Sequence, residues 1–141
     1  MNFQTDTITQ QLVADTKRLD ITEQLFGVAF PLMIEPMLYG IADRLSADYN
    51  GGYWQFYTLS NGGFYMAPES DQPFQVVCDM NYFEGNLSAD VFGIVCCLYA
   101  YSHLSFSDNQ NLSQLCAKHY HWLRDFVIEH DESGLIFAAT D

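Results

Sequence analysis

A short phrase is written twice in this chain, and it constrains the fold more than any other feature. Asn50-Gly51-Gly52-Tyr53-Trp54 is echoed eleven residues later by Asn61-Gly62-Gly63-Phe64-Tyr65. Asn-Gly is favoured in tight turns because both residues tolerate positive φ. The second copy lies between two apolar runs and predicts a hairpin turn at Asn61-Gly62. The first copy follows a helical pattern and predicts a helix stop at Asn50-Gly51, with Gly51 or Gly52 free to take a left-handed cap. Together they mark a helix–strand–hairpin unit.

The flanking patterns extend that unit in both directions. Residues 7–19 predict a first helix, with Ile8, Leu12, Val13, Thr16 and Leu19 on one face and Thr7 with Gln10 as a capping box. Residues 21–34 are apolar without a period, contain Gly27 and Pro31, and read as a buried connecting loop. A second helix is expected over 35–49, with Pro36 in its first turn and Leu38, Ile41, Ala42, Leu45 and Tyr49 as its stripe. Four strands follow, at 53–59, 63–67, 74–79 and 83–87. A two-residue turn at Asn61-Gly62 would set Leu59 opposite Phe64, Thr58 opposite Tyr65 and Tyr57 opposite Met66. Pro68 closes the second strand. Ser88 caps the next helix, and Asp90 sits in its first turn, where negative charge is favoured. That helix is apolar nearly all round from Val91 to Tyr101, the mark of a buried central element. A last helix over 110–130 carries Leu112, Leu115, Cys116, His119, Trp122, Leu123, Phe126 and Val127 on one stripe. Gly134 and the apolar run 135–139 predict a packed tail ending in Asp141. The expected architecture is α+β: one domain over 1–141, a four-stranded antiparallel meander packed with about four helices.

Composition excludes several function classes. With 49% apolar residues in 141, the chain can bury a core and needs no second domain. It has no apolar stretch long enough to span a bilayer. Met1-Asn2-Phe3-Gln4-Thr5-Asp6 lacks the basic-then-apolar order of a signal peptide. Cys78, Cys96, Cys97 and Cys116 lie in apolar runs and read as reduced core residues of a cytosolic protein. The net charge is −13, yet Asp and Glu number only 18, close to an average share. The charge comes from a shortage of cations: Lys17, Arg18, Arg44, Lys118 and Arg124 are the only five Lys and Arg. Mimicry of a duplex needs a dense acidic array, about one charge per 1.7 Å of axis, and near-average acidity does not supply it. The acidic residues are expected to spread over the surface without a phosphate-like double row. The same shortage of cations argues against direct nucleic-acid binding.

The chemistry-bearing residues form no complete site. Cys116 and His119 lie i,i+3 on one helical face, as two metal ligands would. His103, His121 and His130 also invite a metal reading, but two more ligands would have to come from elsewhere, His121 points away from His119, and no Cys-x-x-Cys pair exists. A core thiol and a hydrogen-bonded core imidazole explain the pair better. No motif surrounds any Cys as in a thiol enzyme, and no Gly-x-Ser-x-Gly elbow is present. Asp125 and Glu129 lie i,i+4, as on a solvated helix face. The Asn-Gly-Gly segments precede strands, so they are not phosphate cradles. The aromatic group Tyr53, Trp54, Phe56, Tyr57, Phe64 and Tyr65 is mainly packing, with room for an exposed Tyr or Trp at an interface.

Four runs carry a family resemblance: Tyr49-Asn50-Gly51-Gly52-Tyr53-Trp54; Asn61-Gly62-Gly63-Phe64-Tyr65-Met66-Ala67-Pro68; Gly85-Asn86-Leu87-Ser88-Ala89-Asp90; and His119-Tyr120-His121-Trp122-Leu123-Arg124. In this order, between residues 49 and 124, they resemble the ArdB/KlcA antirestriction family. The length and the ending at Asp141 also fit; the first 48 residues resemble it only loosely. The resemblance implies a protein of plasmids, pathogenicity islands or other mobile elements, located in the bacterial cytoplasm, that protects incoming DNA from type I restriction. It implies a small α/β fold distinct from the elongated acidic mimics of the ArdA type. The family supplies no established catalytic residues.

The expected activity is therefore non-enzymatic inhibition of type I restriction. It would act through protein contact with the restriction-modification complex or an associated host factor, without cofactor or metal. An enzyme that alters a host component is the alternative, and an acidic DNA mimic is the third reading. Asp141 is the first candidate contact, because it carries a side-chain and a terminal carboxylate at a point pinned by the apolar run before it. Asp90, Trp54 and Tyr65 are the further candidates for partner binding.

Overall fold

The computed structural model describes residues 7–141; the signal-peptide question concerns residues 1–6 and lies outside them. The architecture is α+β. In chain order the elements are β1 (Gln10–Leu12), α1 (Arg18–Phe26), α2 (Glu35–Leu45), β2 (Trp54–Leu59), β3 (Phe64–Pro68), β4 (Phe74–Cys78), β5 (Phe83–Leu87), α3 (Ala89–Leu104), α4 (Gln110–Ile128) and α5 (Ser133–Thr140). The strands form two sheets, an antiparallel β1-β2-β3 and a separate β4-β5 hairpin. The expected four-stranded meander is not formed, and five α-helices surround the sheets instead of about four.

The meander fails because a helix takes the place that β4 would need. The outer edge of β3 presents the Phe64 carbonyl and both backbone groups of Met66. On α3, Gly93, Cys97 and Tyr101 recur every four residues and so share one face. The Tyr101 hydroxyl donates to the Phe64 carbonyl at 2.8 Å, and Cys97 Sγ lies 3.5 Å from Met66 N and 3.6 Å from its carbonyl oxygen. Gly93 lets the helix touch the strand: a Cβ there would lie 2.4 Å from Ala67 Cα and from the Met66 carbonyl oxygen. Covering an open edge with a helix satisfies its backbone and bars further pairing. The expectation that α3 is central and buried holds, and Ser88 caps it by accepting from Val91 N at 3.2 Å.

The N-terminal third departs most from expectation. Residues 7–14 are not helical; a 3-10 turn Asp15–Lys17 leads into α1, which begins only at Arg18. Gln10–Leu12 extends along β2, pairing Gln10 with Leu59 and Leu12 with Tyr57. Ser60 N donates to the Thr9 carbonyl at 2.9 Å and Val13 N to the Phe56 carbonyl at 2.8 Å. A short isolated helix is marginal, whereas this strap satisfies an edge that β2 would otherwise expose. Residues 21–34, expected as loop, are mostly helical: α1 runs to Phe26, Gly27 ends it at φ +60°, and Pro31 lies in the first turn of a π-helical segment Phe30–Ile34. α2 stops at Leu45, short of Asn50-Gly51. The Ser46 hydroxyl accepts from Asp48 N at 3.2 Å, a local bond that competes with continued helix. Gly51 and Gly52 do take positive φ, +91° and +106°, in the connector to β2 rather than as a helix cap.

The hairpin forms where expected, with a different register. Gly62 N donates to the Leu59 carbonyl at 3.0 Å and Leu59 N to the Gly63 carbonyl at 2.9 Å. The loop is therefore Ser60-Asn61-Gly62, three residues, with Gly62 at φ +103° in the bulge position. Thr58 pairs with Phe64, Tyr57 with Tyr65 and Phe56 with Met66, one residue away from the two-residue expectation. The turn also docks on α4. Asn61 Nδ2 donates to the Trp122 carbonyl at 2.9 Å, and a Cβ on Gly63 would lie 2.9 Å from Trp122 Cβ. Gly62→Val is expected to cost about 1–3 kcal/mol, because a β-branched residue is strained at positive φ and would press on the Trp122 ring, 3.3 Å from the new Cβ. Urea unfolding followed by tryptophan fluorescence checks this; an unchanged midpoint would show that the turn tolerates strain.

All four cysteines are free and buried. Burial pushes the Cys97 thiol up to about 12 and that of Cys116 to about 11, so both stay protonated and unreactive. No single helix among the described residues is long and apolar enough to cross a membrane.

Candidate functional site

Two of the four candidate contact residues meet at the start of α3. Tyr65, on β3, faces away from Phe64 because strand side chains alternate. Its ring stacks on Tyr57 at 4.9 Å and on Phe126 at 5.9 Å. Its hydroxyl donates to Asp90 Oδ1 at 2.6 Å. The same hydroxyl also meets the Gln10 side-chain oxygen Oε1, so the one phenolic hydrogen lies between two acceptors, Asp90 Oδ1 and Gln10 Oε1. Burial first, and the Asp90 charge second, hold the Tyr65 hydroxyl far above its ordinary pKa. It is a fixed donor here, not a base or nucleophile.

The other oxygen of Asp90, Oδ2, lies 3.7 Å from His130 Nε2. His130 Nδ1 accepts from Glu132 N at 3.0 Å, which places the ring hydrogen on Nε2, toward Asp90. Glu129 Oε2 accepts from Ile8 N at 3.1 Å and ties the strap before β1 to the end of α4. On one flank a cavity of about 410 Å³ is lined by Gln10, Phe126, Glu129, His130 and Asp131 among others. On the other a cavity of about 290 Å³ is lined by Tyr57, Glu69, Ser70, Asp71 and Asp90 among others. Asp90 therefore stands between two acidic hollows, half-exposed and oriented by Tyr65. Such a carboxylate can accept from an Arg or Lys brought by a partner.

The other two candidates lie elsewhere. Trp54 is 3% exposed. Its indole donates to the Tyr49 hydroxyl at 3.1 Å, and its carbonyl accepts from Arg18 at 2.6 Å. It offers no contact surface in this conformation. Asp141 is exposed beyond α5, with its backbone N donating to the Phe137 carbonyl at 2.7 Å. The apolar tail before it is helical, with Ile136 and Ala139 buried. Asp141 shares no hydrogen bond or ion pair with the Asp90 group. Gln10 and His130 complete that group; the sequence pattern marks Gln10 as a helix-cap partner of Thr7 and His130 as one of several histidines, and neither as a neighbour of Asp90. They are brought in by the strap and by the end of α4.

His119 and Cys116 lie in the core. The His119 ring sits 4.3 Å from that of Phe26, 5.1 Å from Trp122 and 5.6 Å from Tyr101. Among the described residues, no three His, Cys, Asp or Glu side chains converge on a metal-sized point.

Comparison with known proteins places the chain. The family model described as "Antirestriction protein" matches residues 47–141. An antirestriction protein KlcA of Escherichia coli is 39% identical, over 100% of both chains. A second protein of that name from Escherichia coli is 41% identical, over 92% of this chain and 90% of its own. A solved structure, described as of the KlcA and ArdB proteins with a novel fold, superposes with TM-score 0.88 at 38% identity over the whole of both chains. That work describes antirestriction activity against type I DNA restriction systems in vivo but not in vitro. The segments that carry the resemblance, the two Asn-Gly-Gly turns, the start of α3 and the Trp122 stretch of α4, are those that the hairpin, the helix cap and the Asn61–Trp122 bond hold together. The chain belongs to the antirestriction protein family.

Proposed function

We propose that this chain relieves type I restriction of incoming mobile-element DNA in the bacterial cytoplasm, by protein contact and without catalysis. The observation that carries the contact reading is Asp90: a half-exposed carboxylate, oriented by the buried Tyr65 hydroxyl, between two acidic hollows. Its partner would be a basic group on the restriction-modification complex or on an associated host factor. The similar structure's activity in vivo but not in vitro favours a partner that purified restriction enzyme lacks.

Asp90→Asn tests this reading. The amide oxygen still accepts from Tyr65, so folding is retained while the charge is lost. Protection of unmodified DNA in a restricting host is expected to fall at least about tenfold, the equivalent of ~1.4 kcal/mol. Asp141→Asn is expected to lower protection as well, with normal folding. Full protection by both variants at matched protein level would remove these carboxylates from the contact.

The same in-vivo property also supports the alternative, an enzyme that alters a host component. Protection that saturates far below one protein per target complex would favour that alternative. A charge-based mimic would lose binding steeply with added salt, whereas apolar docking would not.

A further inference from the structure

A cavity of about 520 Å³ shares no lining residue with the acidic hollows. Met37, Ile41 and Leu45 of α2, Val77 of β4 and Met80 make it largely apolar, and the polar residues that line it are Arg44, His103, Tyr99 and one carboxylate, Asp79. Arg18, Lys118 and Arg124 each lie over an aromatic ring, and Arg18 also pairs with Asp15. Arg44 is exposed and makes no ion pair, hydrogen bond or ring contact among the described residues. The chain sets 18 acidic residues against five Lys and Arg. Most of its surface therefore repels a carboxylate, whereas here Arg44 stands unpaired: Asp79 lines the same cavity and makes no ion pair with it.

Beside the cavity stands the turn 79–82, which joins β4 to β5. Asn81 Nδ2 donates to the Tyr99 hydroxyl and to the Ala139 carbonyl, both at 2.8 Å, which nails the turn to α3 and α5. On either side of this anchor, Met80 is 88% and Tyr82 98% exposed. Tyr82 also adopts φ +56°, the left-handed region, where a bulky residue is strained. The fold thus sets two large apolar side chains in water on a turn anchored by Asn81, one of them at a conformational cost. Packing within the chain gains nothing from either. Exposed Tyr and Met on an anchored turn beside an apolar pocket are the composition of an interface core.

We infer that the turn 79–82 and the cavity beside it form a docking surface for a segment of a partner protein. The segment seats an aliphatic or aromatic side chain against Val77 and Met80 and sets a neighbouring carboxylate on Arg44, whose planar fork suits it. This rests on the protein-contact reading above and adds a surface that the Asp90 region does not contain.

The test screens random peptides displayed on phage against the full chain. Enriched peptides are expected to carry a large apolar residue beside Asp or Glu. Their affinity is expected to fall at least about tenfold in Arg44→Glu and in Met80→Asp. Changing the peptide acid to Lys is expected to restore binding to Arg44→Glu. Enriched peptides without an acid, or binding unmoved by both variants, would overturn the inference. So would sedimentation showing a dimer broken by Tyr82→Gly, which would give this face to a second copy. In a restricting host, Arg44→Glu and Tyr82→Gly are expected to lower protection at least about tenfold, while Tyr82→Gly keeps or raises the melting temperature. Undiminished protection by these variants beside a protecting wild type would overturn the docking surface alone. A wild type without protection would instead sink the function proposed above, and the peptide measurements would still decide this surface.

Discussion

Gly93→Val is expected to lower the stability of this protein by about 3 kcal/mol or more, at the upper end of what overpacking costs. The obstacle is backbone rather than a movable side chain. A Cβ on Gly93 would lie 2.4 Å from Ala67 Cα, Ala67 Cβ and the Met66 carbonyl oxygen. No rotamer relieves that contact, so α3 must lift from the edge of β3. Lifting it stretches the Tyr101 bond to the Phe64 carbonyl and the Cys97 contacts with Met66, and leaves buried backbone groups unpaired. A domain has only about 5–15 kcal/mol in hand, and at about 2–4 °C per kcal/mol the melting temperature should drop by roughly 10 °C. Calorimetry and urea unfolding measure it. Gly40→Ala is the control, because Gly40 lies within α2 and a Cβ there meets nothing within 4 Å. That change should stabilise by about 0.5–1 kcal/mol through helix propensity alone. A Gly93→Val protein as stable as the parent would mean that the helix does not rest on the strand as described.

The second large effect is acid sensitivity set by His119. Its ring is 1% exposed, caged by Phe26, Tyr101 and Trp122, and its Nδ1 has no hydrogen-bond partner. Burial lowers its pKa from 6.5 to about 4; the Leu25 carbonyl opposes the shift and neighbouring Lys118 adds to it. In the unfolded chain the imidazole takes up a proton near pH 6.5, while in the folded chain it stays neutral until about pH 4. The unfolded state therefore binds more protons between these values, and stability falls as pH falls through that window. The contribution is complete above pH 6.5. Its loss by pH 4 is about 3 kcal/mol at 1.36 kcal/mol per pH unit. Urea unfolding of the parent and of His119→Gln at pH 7.5, 5.5 and 4.5 isolates it, because the carboxylates titrate alike in both proteins. The parent should lose stability more steeply. Parallel curves would show that His119 is protonated in the fold.

Legibility in the sequence followed the range of the forces involved. The strands 54–59, 64–68, 74–78 and 83–87, the Ser88 cap and the helices 89–104 and 110–128 lie within a few residues of expectation. Each is specified by its own period, cap or turn chemistry. The N-terminal segment differs from expectation because a local signal competed with a distant partner. A 3.6-residue apolar period over 7–19 lost to pairing with β2, some fifty residues away. The hairpin register slipped by one because Asn-Gly fits a two-residue turn and a three-residue bulged loop alike; the contact with Trp122 is on another element. In the candidate site, Asp90 and Tyr65 were both visible, but their hydrogen bond spans 25 residues, and Gln10 and His130 join from opposite ends of the chain. Trp54 shows the converse: an aromatic in a motif gives no sign of which side of its strand is covered, and here both its ring and its carbonyl are enclosed.

By itself the sequence determined the class of element at most positions, the burial of the central helix and its cysteines, the need for glycine in both turns, and the family. These follow from spacing and backbone stereochemistry, which act over one to four residues. Only the tertiary structure decided which edges pair. The β3 edge is closed by a helix face of Gly93, Cys97 and Tyr101 instead of by β4, and the β2 edge by the strap at residues 10–12. Strand pairing is non-local: an open edge accepts whichever partner the rest of the core brings within reach, and period-two alternation looks the same whatever that partner is. The placement of Asp90 beside His130, and of Met80 and Tyr82 on a pinned turn, follows from those choices of edge.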